Sequence, residues 1–157
     1  RTMIPDTEYD NGYILTSQSC KKLTDVGVKV NLGAHGQIQG IGAHWELWMI
    51  HQGGVTNMQA LQSATINGAT YLGMQNQIGS IKIGKYADMI VIDGNPLENI
   101  YDTENVIYTM VNGRLYDSET MIEIGKETKP YFYWQNEKYA PIFDWHEHTH
   151  SQCSCRH

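Results

Sequence analysis

The residue of this chain best suited to chemistry is a histidine in a glycine-rich loop. His35 follows Gly33 and Ala34 and lies in the ten residues 33–42, four of which are glycine. A neutral imidazole can bind a divalent metal ion and can act as a general base near neutral pH. Two interpretations stay open: His35 lies in or beside a metal or substrate site, or its ring forms hydrogen bonds within the loop.

The C-terminal end concentrates further residue types that bind metals. Residues 146–157 contain four histidines and two cysteines, and imidazole and thiolate groups suit zinc or copper. Because alternate side chains of an extended strand face the same way, such a strand would align the candidate ligands His146, His148 and His150, and likewise Cys153 and Cys155. The Cys-x-Cys spacing is tighter than in usual structural zinc sites. An unstructured tail and an ordered metal site are therefore both compatible with this sequence.

Two polar residues near the start of a predicted helix are candidates for lining a substrate pocket. His44 and Glu46 open the stretch 44–52, just after the glycine-rich loop. Residues two positions apart on a helix do not face one another, so we do not predict a bound pair. Trp45, Trp48 and Met49 fall on one face, which we expect to pack in the core.

A strand is predicted to position the loop that carries His35. Residues 28–32 alternate in hydropathy as a strand does, and they follow a predicted helix over residues 12–25 with Gly27 as its C-terminal cap. A helix, a glycine and a strand in this order fit one step of a parallel barrel or sheet. Functional groups of barrels gather beyond the C-terminal ends of strands, where His35 is found.

A longer helix is predicted after the loop. Thr56 and Gln59 have the spacing of a capping box. Small and apolar residues recur along one stripe to about Leu72, and Gly73 would end the helix. The small residues would let this helix lie close to a neighbouring backbone.

The stretch after this helix is predicted to be β-structure. Residues 80–83 suit a small strand, and residues 89–92 form an apolar run that a turn cluster ends. Asn112-Gly113 between two apolar stretches predicts a β-hairpin with a type I′ turn, which needs two positive φ angles.

These segments resemble a known enzyme family. Residues 79–97 read Gly-Ser-Ile-x-x-Gly-Lys-x-Ala-Asp-x-x-Val-x-Asp-Gly-x-Pro-Leu, and residues 60–69 read Ala-Leu-x-x-Ala-Thr-x-Asn-Gly-Ala. Over residues 26–116 the chain resembles metal-dependent amidohydrolases, at the point where those enzymes leave their barrel and complete a small β-sandwich. Within the family it looks most similar to the imidazolonepropionase-like branch, including large secreted members that carry a β-propeller.

The resemblance implies an α/β fold that is the C-terminal part of a (β/α)8 barrel followed by strands of a small β-sandwich. Residues 1–75 would form the last barrel units, residues 76–120 the sandwich strands and residues 121–157 an extension with the His/Cys-rich tail. With 157 residues the chain is too short for a whole barrel of about 250 residues. We therefore expect a segment of a hydrolase whose other sandwich strands come from elsewhere.

The resemblance also implies chemistry. Family members hydrolyse carbon–nitrogen bonds, here expected to be non-peptide or cyclic amide bonds, with a divalent metal, expected to be zinc. In typical members the position of His35 is an aspartate that contacts the metal and shuttles a proton. Histidine cannot supply that negative charge, so the mechanism does not transfer unchanged. The His-x-His pair of the family belongs to its first barrel strand, so residues 146–150 are not its equivalent.

Composition limits the partners. The net charge of −6 and only 11 lysines and arginines argue against nucleic acid and anionic membranes, and no apolar run approaches the length of a membrane span. We expect a small-molecule substrate, the remainder of the hydrolase or a partner chain, and an oligomer. The branch resemblance favours an exported or periplasmic protein. Because most of the family's ligands have no counterpart here, the chain alone is expected to be inactive; the alternative is a non-catalytic assembly or metal-binding component.

Overall fold

Helices come first and a small sheet follows in the computed structural model, which describes residues 12–34, 38 and 40–126. The helices are α1 Gly12–Asp25, α2 Ile41–Gln52, α3 Asn57–Ser63 and α4 Ile66–Tyr71. The remaining elements are β1 Met89–Ile92, a 3₁₀ helix Ile100–Glu104, β2 Val106–Val111 and β3 Arg114–Asp117. None of the helices in these ranges combines the length and hydropathy needed to cross a membrane.

The sheet has the order β1-β2-β3, and both strand pairs are antiparallel. Asn112 and Gly113 join β2 to β3 with φ angles of 49° and 78°, as a type I′ turn requires. The predicted hairpin and the predicted strand at residues 89–92 are therefore confirmed. The hairpin joins residues next to its turn, whereas β1 pairs with a strand farther along the chain, as in the pair Met89 and Met110.

The helix predicted to extend to about Leu72 is wrong in one respect, because it is two helices. Its start is confirmed: the Thr56 hydroxyl accepts from the Gln59 backbone N–H at 3.2 Å, and Gln59 Oε1 accepts from the Thr56 N–H at 2.9 Å. Thr65 interrupts it with φ −133° and ψ −98°, outside the helical region. The Thr65 hydroxyl donates to the Leu61 carbonyl at 2.8 Å, which also accepts from the Ala64 N–H at the end of α3.

Two predicted strands, at residues 28–32 and 80–83, are absent from the described residues. A strand is defined by pairing with another strand, and neither segment finds one there. Residues 28–32 bond instead to the helical half. Residues 80–83 lead into a turn in which the Lys85 N–H donates to the Lys82 carbonyl at 3.2 Å. The barrel, the β-sandwich and the domain boundaries at residues 75 and 120 consequently stay predictions.

The buried core lies in the helical half and receives one residue from the 3₁₀ helix. Its members are Leu47, Ile50, Val55, Ala60 and Ile100. Ile100 is 2% exposed and is the point at which the second half of the chain enters this core. Trp48 strengthens the junction, because its indole N–H donates to the Ile100 carbonyl at 3.2 Å and to the Thr103 hydroxyl at 3.0 Å.

The packing predicted for the aromatic face of α2 is wrong for two of its three residues. Trp48 packs against the core and meets the Tyr101 ring edge-on with centroids 5.0 Å apart. Trp45 and Met49 are exposed. The buried residues of α2 are Leu47 and Ile50 instead, and α2 packs against α1, α3 and the 3₁₀ helix.

Candidate functional site

Residues 28–34 have one face toward the helices. Val30 and Leu32 pack against the core, and this spacing of two is that of an extended chain. The Leu32 N–H donates to the Ser63 carbonyl, and the Asn67 side-chain amide donates to the Val30 carbonyl, both at 3.0 Å. The segment is thus held on α3 and α4 by its backbone as well as by its side chains.

The opposite face of this segment carries a polar atom without a partner. Asn31 lies between Val30 and Leu32, and its Oδ1 is buried with no hydrogen bond to any described residue. A buried polar oxygen without a partner costs about 1–3 kcal/mol, so native proteins rarely leave one.

Glu46 contacts the end of this segment. Its Oε1 accepts a hydrogen bond from the Gly33 backbone N–H at 3.0 Å. Glu46 lies in the first half of α2 and is followed at once by the buried Leu47. The carboxylate therefore connects a packed helix to the beginning of the glycine-rich loop.

His44 lies near Trp48 rather than near Glu46. The His44 and Trp48 rings are 6.4 Å apart between centroids and tilted by 41°, and the histidine is half-buried. As expected from their spacing, His44 and Glu46 do not form a pair. The structure therefore places both candidate pocket residues on α2, but with different neighbours.

The other candidate residues lie outside the described residues. These are His35, and in the tail His146, His148, His150, Cys153 and Cys155. Their roles in catalysis or metal binding stay predictions. Within the described part of the chain no three or more His, Cys, Asp or Glu side chains come together as metal ligands would. The donors that the structure describes thus do not form a complete metal site.

A cavity of about 250 Å³ lies at the other end of the segment from Gly33. Its lining includes Lys29, Gln62 and Asn67 from the segment and from α3 and α4. Neither His44 nor Glu46 is part of that lining. The cavity is consequently separate from these two candidate residues of the described chain.

Two charged residues of the 79–97 string form hydrogen bonds with nearby turns that the sequence pattern did not predict. The Lys85 ammonium donates to the Ile78 carbonyl at 3.0 Å and to the Ser80 hydroxyl at 2.7 Å. Asp88 Oδ1 accepts from the Asn112 backbone N–H at 2.6 Å and so fixes the hairpin turn. The signal for the second contact was present, because an aspartate before one strand and an Asn-Gly turn offer an acceptor and a free donor.

The chain is similar in sequence to a known protein family and to several characterised enzymes by name. The model of the amidohydrolase family matches residues 16–116. A 5'-deoxyadenosine deaminase of Methanobrevibacter smithii is 42% identical over 76 residues, which are 46% of this chain and 17% of the relative. An imidazolonepropionase of Sphingopyxis alaskensis is 41% identical over 49 residues, which are 31% of this chain and 12% of the relative.

Solved structures agree with these relatives. A Xaa-Pro dipeptidase with bound methionine in its active site superposes with a TM-score of 0.59 and 36% identity, over 64% of this chain and 25% of that chain. An amidohydrolase from Thermotoga maritima superposes with a TM-score of 0.54 and 25% identity, over 71% of this chain and 26% of that chain. The chain thus spans about a quarter of the solved structures it matches and less of the curated relatives.

Proposed function

This chain belongs to the amidohydrolase family, and from that premise we propose that it forms one part of a metal-dependent hydrolase acting on carbon–nitrogen bonds. The relatives are deaminases, imidazolonepropionases and a dipeptidase by name. For this chain we favour non-peptide or cyclic amide substrates. Residues outside these 157 would supply the rest of the active site.

The observation that carries the proposal is the uneven environment of residues 28–34. Val30 and Leu32 are packed on helices, whereas Asn31 Oδ1 is buried without a partner on the other face. A segment that is covered by helices on one face and bears a polar group on the other suits a strand of a barrel. Neighbouring strands would then pair with its backbone and provide a donor for Asn31.

Within this proposal His35 is the catalytic candidate of the chain. It follows Gly33 by two residues, at the end of the segment from which barrel enzymes aim their functional groups. A neutral imidazole there would accept a proton from a reacting group. His44 is assigned to the wall of the substrate pocket.

A divalent metal, expected to be zinc, belongs to the complete enzyme in this proposal. The described donors do not hold such an ion, since no three of them converge. Its ligands would come from His35 and from residues beyond this chain. The tail ligands would then serve a separate site; they are His146, His148, His150, Cys153 and Cys155. Removing residues 146–157 distinguishes the two sites by the metal that remains bound.

Three measurements on the purified protein test this proposal. Mass spectrometry gives the intact mass of every chain present and the metal content, and an activity assay measures hydrolysis of cyclic amides and aminopurines. We expect no turnover by the 157-residue chain alone, and turnover with bound metal when the remainder of the hydrolase is present. His35→Ala should then lower both metal content and kcat, whereas the matched variant Gln52→Ala on the exposed side of α2 should change neither. Turnover by the isolated chain, or a His35→Ala complex with unchanged metal and kcat, would contradict the proposal.

A second candidate function is that of an assembly component without catalysis. Tyr71, Ile81 and Ile83 are large apolar residues that lie almost fully in solvent in the described chain. Burial of these side chains in a contact between chains would remove their apolar surface from water. Sedimentation of the pure chain separates the candidates: a stable, metal-free homo-oligomer favours assembly, and a complex with a larger metal-bound chain favours the hydrolase.

A further inference from the structure

The contact between Glu46 and Gly33 links two segments that are 13 residues apart in sequence. The carboxylate oxygen lies 3.0 Å from the Gly33 backbone nitrogen. A Cβ built on Gly33 would lie 3.7 Å from the same oxygen, which is ordinary van der Waals contact. The interaction therefore depends on the backbone N–H of residue 33 and on the acceptor at residue 46.

The acceptor of this hydrogen bond, Glu46, lies on α2, and α2 holds it in place. Leu47 and Ile50 are the buried residues of α2, so the backbone next to Glu46 is fixed by the core. A hydrogen bond to an ionised carboxylate is stronger than one between neutral groups. The Glu46 carboxylate thus has the properties of a group that holds a loop in place.

We propose that Glu46 is a positioning residue, which holds Gly33 and thereby sets the direction in which the chain leaves residues 28–34 toward His35. This role differs from the pocket-lining role that its type and place in the sequence predict. A carboxylate oxygen that already accepts from a backbone N–H has less capacity for a substrate. The effect of Glu46 on catalysis rests on the proposed function, whereas its contact with Gly33 does not depend on that function.

Amide hydrogen exchange of the whole chain, followed by NMR, tests the contact. Glu46→Ala should accelerate exchange at Gly33 by roughly three- to tenfold, as expected for loss of one hydrogen bond at a partly exposed site. Glu46→Gln retains an oxygen acceptor and should restore most of the protection. The Leu32 N–H, which bonds to Ser63, is the internal control and should not change. Unchanged exchange at Gly33 in Glu46→Ala would overturn the proposal.

Steady-state kinetics of the complete, metal-loaded hydrolase test the consequence. A positioning role predicts that Glu46→Ala lowers kcat by roughly ten- to a hundredfold with little change in KM, because misplacing a reacting group affects the transition state. Glu46→Gln should recover most of kcat. A raised KM without rescue by glutamine identifies a substrate contact and overturns the proposal. If the complex hydrolyses nothing, the proposed function fails, and exchange at Gly33 still decides the role of Glu46.

Discussion

Gly79 and Gly84, both in the 79–97 string, should respond very differently to the same substitution. Both have positive φ, 82° and 89°. A Cβ at Gly79 would lie 2.5 Å from the Cβ of Ala69 and 3.1 Å from the Cα of Ile66, whereas a Cβ at Gly84 would meet nothing within 4 Å. Comparison of Gly79→Ala with Gly84→Ala therefore isolates packing from backbone conformation.

The expected magnitudes follow from these contacts. An alanine in the left-handed region costs roughly 1–2 kcal/mol, and this term applies to both variants. Overpacking adds about 1–3 kcal/mol at Gly79 alone, because Ala69 is itself buried and cannot move aside freely. We expect Gly79→Ala to lower the free energy of unfolding by about 2–5 kcal/mol and Gly84→Ala by about 1–2 kcal/mol. The gain from a less flexible unfolded chain is the same for both and cancels in the comparison.

Urea unfolding followed by far-ultraviolet circular dichroism measures the difference. A double-mutant cycle with Ala69→Gly sharpens the test, since removing the Ala69 methyl group takes away the shortest contact. The double variant should then be more stable than the sum of the two single effects. Equal losses for Gly79→Ala and Gly84→Ala, or simple additivity in the cycle, would refute the packing argument.

Two further predictions concern the junction and the sheet. Trp48→Phe should lower the free energy of unfolding by about 1–2 kcal/mol, because the indole N–H bonds to Ile100 and Thr103 are lost; the exposed Trp45→Phe is the control, and equal effects would contradict the assignment. At β3, hydrogen bonds from Arg114 and Lys126 lower the pKa of Glu123 from 4.5 to about 2. Because the pKa is lowered, the contribution of this contact to the free energy of unfolding is present above pH 4.5 and is lost as the pH falls toward 2. Carbon-13 NMR of the Glu123 carboxyl should give a midpoint near 2, and a midpoint near 4.5 would contradict the ion pairs.

The family could be recognised from the sequence because its glycines, Lys85 and Asp88 lie in one continuous stretch, residues 79–97. The predicted resemblance to amidohydrolases is confirmed by the family match over residues 16–116. Two residues of that string have structural contacts. The Lys85 ammonium donates hydrogen bonds to oxygen atoms of the preceding turn, and the Asp88 carboxylate accepts one from the Asn112 N–H. These contacts stabilise the fold and require no role in catalysis.

Only part of the candidate site could be predicted from the sequence. The pattern of residues 28–34 predicted the position of the glycine-rich loop. The hydrogen bonds of Val30 and Leu32 to Asn67 and Ser63 form only when α3 and α4 are in place. Glu46 was identified as a candidate by its position, yet its partner was not, because a backbone N–H has no signature in sequence. His35 and the tail residues lie outside the described residues, so their roles stay predictions.

The sequence by itself determined the elements that depend on near neighbours. These are the helix ending before Gly27, the capping box of Thr56 and Gln59 and the Asn112-Gly113 turn, each set by hydrogen bonds or φ angles within a few residues. Only the tertiary structure decided the features that join distant segments: the contact of Glu46 with Gly33, the bond from Trp48 to Ile100 and the close approach of Gly79 to Ala69. Their energies depend on which atoms become neighbours in space, and that is settled by packing of the whole chain rather than by any one stretch of it.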